Sequence, residues 1–271
     1  MAELTNVSSA KVKAARRLRK RAYRQQDRAF LAEGAQAVRE ALAARPCPVR
    51  ELFVTAQARA RHTDLVDAAM SCGVPVQQAS GRVLEELSET VTPQGLVAVC
   101  DLVDVPLAEA LAAAAAPRMA VLLAAVRDPG NAGTVLRTAD AAGADLVAFS
   151  DTSVDPYNGK CVRASAGSLF HLPVAIDVDM AAAVGGCRAA GMRVLAADGA
   201  ASVDLDQLDR GGALAQPTAW IFGNEAWGLP DEVLGLADQA VRVPIHGRAE
   251  SLNLAAAAAV CLYASARAQR G

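Results

Sequence analysis

Short apolar runs recur along the second half of the chain, each followed by a polar or glycine-rich segment and then a helical pattern. Continuous apolar runs of this kind suit strands that are buried on both faces of a parallel sheet. The repeated order of strand, loop and helix therefore predicts an α/β fold with a parallel sheet. The predicted strands are 119–126, 145–150, 172–176, 192–198, 218–223 and 241–245, and the predicted helices are about 134–142, 180–190 and 251–268.

In the first hundred residues, predicted helices and strands also alternate, and they indicate a smaller, separate α/β domain. Within residues 30–44, the apolar side chains Leu31, Ala35, Val38 and Leu42 fall at roughly helical spacing, so we expect an amphipathic helix there. The other expected elements of this domain are strands at 51–55 and 95–103 and helices at 64–71 and 83–87.

Charge is distributed unevenly along the chain. The 271 residues carry a net charge of −2, but residues 1–30 hold nine basic side chains against two acids. Such a segment suits phosphate contact, and a solvated helix face is the alternative that composition leaves open. We expect four segments: a basic arm over 1–29, the small domain over 30–104, a linker over 105–117 and the larger domain over 118–271.

Cysteine, histidine and apolar content exclude several classes of protein. The six cysteines and three histidines are scattered, without a C-x-x-C pair, so we expect reduced, mostly buried thiols and no metal site. A secretory signal is not recognisable at the N-terminus. The alanine-rich run 107–116 is too short to span a bilayer and contains Glu109. We therefore expect a cytoplasmic protein without membrane association.

Four polar segments follow predicted strands, at the end of a parallel sheet where ligands bind. Other ligand motifs are missing, because the sequence contains no G-x-G-x-x-G after a strand, no phosphate-binding G-x-x-x-x-G-K-[ST] and no G-x-S-x-G. The residues of interest in the four segments are Asn131 and Arg137; Asp198 and Gly199; Gly223, Asn224, Glu225 and Gly228; and Ser251 and Asn253.

Each of these positions has a chemical interpretation and a structural alternative. Gly223 lets a backbone approach a ligand closely, and Arg137 suits a phosphate or carboxylate. Ser251 is expected to cap the last helix, whose N-terminus offers free N–H groups to an anion. Alternatively, Asn131 is a turn residue, Ser251 is only a cap, and Arg137 and Glu225 form a structural ion pair.

Three of these segments resemble the signature motifs of the SpoU/TrmH RNA 2′-O-ribose methyltransferases. They occur in the family's order, and the resemblance covers about residues 119–269. Residues 30–44 and 94–99 also resemble the SpoU-type substrate-binding domain that often precedes this catalytic domain. The three motifs read NAGTVLR at 131–137, FGNEAWGL at 222–229 and VPIHGRAESLN at 243–253.

The resemblance implies a SPOUT catalytic domain with a deep trefoil knot and an N-terminal domain like RNA-binding ribosomal proteins. It also implies S-adenosylmethionine as the cofactor and a homodimer with the site near the dimer interface. The expected cofactor-binding residues are Ala197, Gly223, Asn224, Val243, Ile245, Ser251 and Leu252. The expected RNA-binding residues are Arg16, Arg17, Arg19 and Lys20 in the basic arm, with Lys160 and Arg163 in a segment where an ordinary helix start is the alternative.

Catalytic roles follow from the same resemblance. Arg137 would handle the attacking 2′-hydroxyl, either as the family's general base or by pinning a phosphate, since a guanidinium is normally always protonated. Asn131 would position the ribose or the methyl group, and Glu225 would orient Arg137 or bind RNA. Ser251 and Asn253 would hold the arginine and the loops of the site. No metal is needed for this displacement.

The expected function is methylation of a ribose 2′-hydroxyl in ribosomal RNA of the 23S type. The alternatives are the same reaction on transfer RNA, a non-catalytic RNA-binding or assembly protein, and a nucleotide-binding regulator. The second motif carries Trp227 where the family commonly has small or acidic residues, a departure that affects the RNA-facing edge rather than the cofactor site.

Overall fold

The computed structural model describes residues 3–224 and 227–271 and contains two compact units. The N-terminal unit comprises Met1–Val103 and Asp155–His171, and the C-terminal unit comprises Asp104–Val154 and Leu172–Gly271. Each unit is therefore assembled from two separate stretches of chain, a feature that the linear division into four segments did not predict.

The N-terminal unit is a four-stranded sheet with helices. Its strands lie in the order β1, β4, β2, β3, and β4 runs antiparallel to both of its neighbours while β2 and β3 are parallel. Its elements are α1 (Ala10–Arg17), α2 (Arg21–Asp27), β1 (Ala29–Glu33), α3 (Ala35–Ala43), β2 (Val49–Val54), α4 (Ala56–Arg61), α5 (Thr63–Ser71), β3 (Val76–Gln78), α6 (Gly81–Leu87), β4 (Leu96–Asp101) and, from the second stretch, α9 (Gly159–Ser165).

The basic N-terminal segment is part of this unit rather than a free arm. Ser9 caps α1 by accepting a hydrogen bond from the Val12 N–H, and Val12, Ala15 and Leu18 are buried in a core cluster with residues of α6 and the sheet. Val12, Ala15 and Leu18 recur every three residues and are buried, whereas Lys11, Lys13 and Arg17 are exposed.

The helix expected over residues 30–44 is wrong in its first part. Residues Ala29–Glu33 form β1, which pairs with β4, and Ala35–Ala43 form α3. Gly34 separates the two elements with a φ of 92°, a conformation that glycine adopts without a steric penalty. Leu31 therefore lies in a strand, although its spacing from Ala35 matched a helical period.

The stretch Asp155–His171 packs within the N-terminal unit. The ring of Tyr157 lies 4.7 Å from the ring of Phe30 between centroids, and its hydroxyl accepts a hydrogen bond of 2.8 Å from the Val103 N–H. Helix α9 follows directly, capped by the side chain of Asn158.

The C-terminal unit contains a seven-stranded parallel sheet in the order β7, β6, β5, β10, β8, β11, β9. This confirms the predicted fold class and places a strand at each of the six predicted positions, although the last one spans 239–242 rather than 241–245. Its elements are α7 (Leu107–Ala112), β5 (Met119–Leu123), α8 (Pro129–Ala142), β6 (Leu146–Ser150), β7 (Val174–Val178), α10 (Met180–Ala189), β8 (Arg193–Ala197), β9 (Val203–Asp204), α11 (Leu205–Arg210), β10 (Thr218–Phe222), α12 (Asp231–Leu234), β11 (Gln239–Arg242) and α13 (Leu254–Arg270).

Strand β10 shows how both faces of this sheet are covered. Alternate residues point to opposite faces: Ala219 and Ile221 belong to a core cluster with α7 and α10, whereas the fully buried Trp220 donates a hydrogen bond of 2.9 Å to Ser265 of α13. A strand buried on both faces explains the uninterrupted apolar run that the sequence shows.

The cysteines are free, and four of them are buried, as expected. Burial raises the pKa of Cys187 to about 11 and that of Cys261 to about 12, so both are thiols at neutral pH. Among the described residues, no helix combines the length and the apolar character that crossing a bilayer requires.

Candidate active site

A cleft of about 680 Å³ opens in the C-terminal unit where β8, β10 and β11 end. All seven residues that the sequence analysis assigned to the cofactor line this one cleft. The strands are parallel, so their carboxyl ends meet at one edge of the sheet, and this explains why segments far apart in sequence come together. The lining residues are Ala197, Asp198, Gly199, Phe222, Gly223, Asn224, Gly228, Val241, Arg242, Val243, Pro244, Ile245, Glu250, Ser251, Leu252, Leu254 and Ala257.

Gly223 makes a close backbone approach at the end of β10. A Cβ atom on Gly223 would lie 2.6 Å from the Gly228 carbonyl oxygen and 2.8 Å from Cγ of Leu229. The approach is fixed by two backbone hydrogen bonds of 2.9 Å between Asn224 and Gly228. The predicted need for glycine therefore has a steric cause inside the protein itself.

The segment 243–252 offers unused backbone groups to the cleft. The backbone N–H groups of Ile245, Ser251 and Leu252 donate no hydrogen bond to another residue within 3–224 and 227–271. The side chains of Ile245 and Leu252 are also 37% and 39% exposed, so apolar surface lies beside these free donors. Backbone donors next to apolar side chains suit a planar heterocycle, whose edge is polar and whose faces are not.

The turn after β5 is held in place by two other strand ends. Ala125 has a φ of 55°, which is uncommon for a residue other than glycine. Its N–H donates to the Ser150 hydroxyl at 3.0 Å, and its carbonyl accepts from Nδ2 of Asn224 at 3.2 Å. Asn224 therefore joins the loop after β10 to the turn after β5, while it also lines the cleft.

Asn131 and Asn253 meet at this edge of the sheet. Nδ2 of Asn253 donates a hydrogen bond of 3.0 Å to Oδ1 of Asn131, and Asn131 is held by its own N–H, which donates to Asp128 at 2.8 Å. Asn253, rather than Ser251, caps the last helix, since its Oδ1 accepts from the N–H groups of Ala255 and Ala256. The expectation that Ser251 is the cap is wrong because α13 begins three residues later.

Arg137 lies on the exposed face of α8 and does not line the cleft. Its guanidinium makes no hydrogen bond or ion pair with the part of the chain that the structure describes, so neither Ser251 nor Asn253 holds it as expected. Glu225, the residue expected to orient it, lies outside the described residues.

Comparison with known proteins assigns the chain to a family. Residues 118–263 match the family described as SpoU rRNA Methylase, and residues 9–98 match the MRM3-like substrate binding domain. The chain belongs to the SpoU rRNA methylase family. This confirms the resemblance of the motifs, and with it a methyltransferase that uses S-adenosylmethionine.

Full-length relatives of this SpoU methylase are similar over both units. It is 34% identical over 266 residues to the 23S rRNA (guanosine(2553)-2′-O)-methyltransferase RlmP of Bacillus subtilis, covering 97% of this chain and 98% of the relative. An AdoMet-bound rRNA methyltransferase from Sinorhizobium meliloti superposes with a TM-score of 0.81 at 31% identity, covering 98% and 97% of the two chains. AviRb from Streptomyces viridochromogenes with AdoMet gives 0.80 at 29% identity, covering 96% and 98%.

The residues that we expect to bind RNA all lie in the N-terminal unit of this SpoU methylase, but most are already paired. Ion pairs join Arg16 to Glu86 at 2.8 Å, Arg17 to Asp27 at 2.7 Å and Arg163 to Glu33 at 3.1 Å. Glu89 lies 3.6 Å from Arg19 and 3.9 Å from Arg163, so two parts of the chain distant in sequence meet there. Lys20 and Lys160 are exposed.

Several lining residues of the SpoU methylase cleft had no role in the sequence analysis. Arg242 is the last residue of β11, Pro244 lies just after this strand, and Glu250 precedes Ser251. From the sequence, only their positions beside motif residues could have indicated that they line the cleft. Asp198 was noted as a turn residue, and its Oδ1 accepts from the Ala200 N–H at 3.1 Å.

Metal ligands are not grouped in the described residues of this SpoU methylase: no three His, Cys, Asp or Glu side chains there could hold an ion together. The expectation that the reaction uses no metal stays a prediction.

Proposed function

We propose that this protein methylates a ribose 2′-hydroxyl in ribosomal RNA of the 23S type. The observation that carries the proposal is the cleft at the ends of β8, β10 and β11, which gathers the residues of the second and third motifs. The relatives that match nearly the whole chain include a 23S rRNA 2′-O-methyltransferase and an AdoMet-bound rRNA methyltransferase.

The cleft holds the cofactor through backbone groups and apolar side chains. When bound, S-adenosylmethionine supplies a methyl group on a positively charged sulfur. The N–H groups of Ile245 and Leu252, which have no hydrogen-bond partner among the described residues, would hold the polar part of the cofactor, and the exposed apolar side chains beside them would suit its heterocycle. A Cβ on Gly223 would displace Gly228, which also lines the cleft, so glycine at position 223 preserves the space for a ligand.

Asn131, Arg137, Ser251 and Asn253 serve the attacking hydroxyl. Asn253 fixes the amide of Asn131 beside the first turn of α13. The guanidinium of Arg137 pins a phosphate beside the target ribose and directs a hydrogen bond at the 2′-oxygen, since a permanently charged group acts mainly by position. Glu225 belongs to the same set by its place in the second motif.

A homodimer completes the proposal. Arg137 lies outside the cleft of its own protomer, and Val260 and Tyr263 of α13 are 42% and 51% exposed on one helix face. Apolar side chains three residues apart on a helix are neighbours on the same face. A second copy packed there would cover it and bring Arg137 to the partner's site. The proposal also includes a trefoil knot in the C-terminal unit.

The N-terminal unit binds the RNA in this proposal, through the basic residues of α1, α2 and α9. Arg16, Arg17, Arg19 and Lys20 contact phosphates beside Lys160 and Arg163. Their ion pairs with Glu86, Asp27 and Glu89 orient the arginines, and the N–H groups that these pairs leave unused contact the phosphates. A ribosomal RNA substrate would place the protein in the cytoplasm.

Methyl transfer to isolated RNA tests the proposal. The protein is incubated with labelled S-adenosylmethionine and, separately, with unmodified ribosomal and transfer RNA, and any product is mapped by sequencing that detects 2′-O-methylation. We expect label on one ribose of 23S-type RNA. Label confined to transfer RNA contradicts the choice of substrate, and absence of cofactor binding contradicts the enzymatic function. Bound cofactor without label on naked RNA directs the assay to partly assembled ribosomal particles.

A further inference from the structure

Helices α1 and α2 meet at a turn over residues 18–20, and an open cleft of about 570 Å³ lies at this elbow. We call it the elbow cleft. None of the residues that line it belongs to the cofactor cleft. Its lining residues are Lys13, Arg16, Arg17, Arg19, Lys20, Tyr23 and Glu89, five cations with one tyrosine and one carboxylate.

Arg24 holds the turn between α1 and α2 from its buried side. The side chain is buried, with 4% of the residue exposed, and Nη1 donates to the carbonyl oxygens of Leu18 and Arg19 at 2.9 Å each. Nε and Nη2 donate to one carboxylate oxygen of Asp155 at 2.9 and 2.6 Å. A buried guanidinium is stable only with such partners, so the turn is held rigidly rather than left to fluctuate.

Two cations of the elbow cleft are left for an external anion. Arg16, Arg17 and Arg19 are paired with Glu86, Asp27 and Glu89. Lys13 and Lys20 are exposed and form no ion pair with any carboxylate in residues 3–224 and 227–271. Ammonium groups without a partner bind phosphate as compact point charges.

Tyr23 supplies a different kind of contact in the same cleft. It is 37% exposed, so it is open to contact from outside the protein. The guanidinium of Arg17 lies 5.4 Å from the centre of its ring, and the bidentate hydrogen bonds from Arg17 to Asp27 hold it there. An oriented aromatic ring among cations is the arrangement on which proteins stack the bases of single-stranded RNA.

We infer that the elbow cleft binds an unpaired nucleotide of the RNA substrate, with its base stacked on Tyr23 and the adjoining phosphates on Lys13 and Lys20. The inference rests on the proposed function in taking RNA as the substrate, and it adds the class of RNA structure that the N-terminal unit recognises. Bases in a duplex keep their faces stacked on one another, so only a loop, a bulge or a strand end presents a face to Tyr23.

The test compares a hairpin RNA that has an unpaired loop with a fully paired duplex of the same length, each titrated against the full-length protein. Tyr23→Ala is expected to weaken binding of the hairpin by roughly 5- to 100-fold, as loss of one stacked base does, and to leave the duplex unchanged. Tyr23→Phe, which keeps the ring, is the matched control and retains hairpin affinity.

The salt dependence separates stacking from charge. Tyr23→Ala leaves the slope of log affinity against log salt unchanged. The double variant Lys13→Gln, Lys20→Gln makes this negative slope shallower by about 1.4, the amount for two phosphates on a single strand. Wild-type hairpin affinity in Tyr23→Ala, or an equal loss on hairpin and duplex, overturns the inference; the second result identifies a general polyanion surface.

Cofactor binding and methyl transfer distinguish a failure of the proposed function from a failure of the inference about the elbow cleft. Binding of S-adenosylmethionine by Tyr23→Ala, measured by calorimetry, shows that the C-terminal unit of the variant is folded, and unchanged binding of the duplex shows the same for its N-terminal unit. If the hairpin binds through Tyr23 but no ribosomal RNA is methylated, only the proposed function fails. If ribosomal RNA is methylated and Tyr23→Ala binds the hairpin as the wild type does, only the inference about the elbow cleft fails.

Discussion

Asn253 connects two motifs of the site by using both ends of one amide. Its Oδ1 accepts hydrogen bonds from the N–H groups of Ala255 and Ala256, and its Nδ2 donates to Oδ1 of Asn131 at 3.0 Å. Because backbone N–H groups can only donate, they fix which end of the amide is the oxygen. The residue therefore starts α13 and positions Asn131 at the same time.

The two roles of Asn253 can be separated by substitution. Serine is as good a helix cap as asparagine but is too short to reach Asn131, so Asn253→Ser should keep the free energy of unfolding within about 0.5 kcal/mol while turnover falls at least about tenfold. Asn253→Ala, which also loses the cap, should in addition lose about 1 kcal/mol of stability. Urea unfolding and methyl-transfer rates measure the two effects. Equal turnover in Asn253→Ser and the wild type would show that the link to Asn131 is irrelevant to catalysis.

Gly223→Ala tests the close approach between Gly223 and Gly228 in the cofactor cleft. The added methyl would lie 2.6 Å from the Gly228 carbonyl oxygen, so the loop must shift, and the affinity for S-adenosylmethionine should fall about tenfold or more. Gly199→Ala is the matched control, since it lines the same cleft and a Cβ there meets nothing within 4 Å. Calorimetric titration measures both affinities. Equal affinities in the two variants would contradict a steric role for Gly223.

Arg137→Lys should separate chemistry from cofactor binding. The guanidinium is exposed and outside the cleft, so the free energy of unfolding should change by less than about 0.5 kcal/mol and cofactor affinity should stay at the wild-type value. Turnover should nevertheless fall by about two orders of magnitude, because an ammonium cannot replace the planar fork. Single-turnover methylation with saturating RNA measures this. Full activity would remove Arg137 from the mechanism.

Val260→Asp tests the proposed dimer. A carboxylate on the exposed face of α13 would be desolvated in a dimer interface, so the variant should elute as a monomer in size-exclusion chromatography with light scattering and lose methyl transfer. Met70→Asp is the control, because Met70 is also an exposed apolar residue, at 61% against 42% for Val260, and lies on α5 of the N-terminal unit. A monomeric wild type, or a dimeric Val260→Asp, would exclude α13 as the interface.

The cofactor cleft could be predicted from the sequence because parallel strands impose it. Runs such as 119–123 are apolar throughout, which indicates burial on both faces, and their polar continuations must then gather at one edge. Ala197, Gly223 and Ile245 come from three different strand ends and line the same cleft. The rule needs only the position of each strand and not its packing partners.

Features set by partners distant in sequence could not be predicted in the same way. Residues 29–33 form a strand because β4, more than sixty positions later, pairs with them, and local periodicity favoured a helix instead. The cap of α13 was misplaced because Ser251 and Asn253 are both good capping residues, and only the course of the loop decides between them. The placement of Asp155–His171 in the N-terminal unit likewise depends on contacts with Phe30 and Arg24, and the sequence near this stretch does not indicate them.

The placement of Asp155–His171 has a consequence for the order in which the protein can fold as it is synthesised. Arg24 and Phe30 emerge from the ribosome more than a hundred residues before Asp155 and Tyr157, which they contact in the finished unit. Until then, the guanidinium of Arg24 has no carboxylate partner from that stretch, so burying it is costly. Most of the parallel sheet is still unsynthesised when the N-terminal unit becomes complete at His171, and the last helix follows only after about eighty further residues.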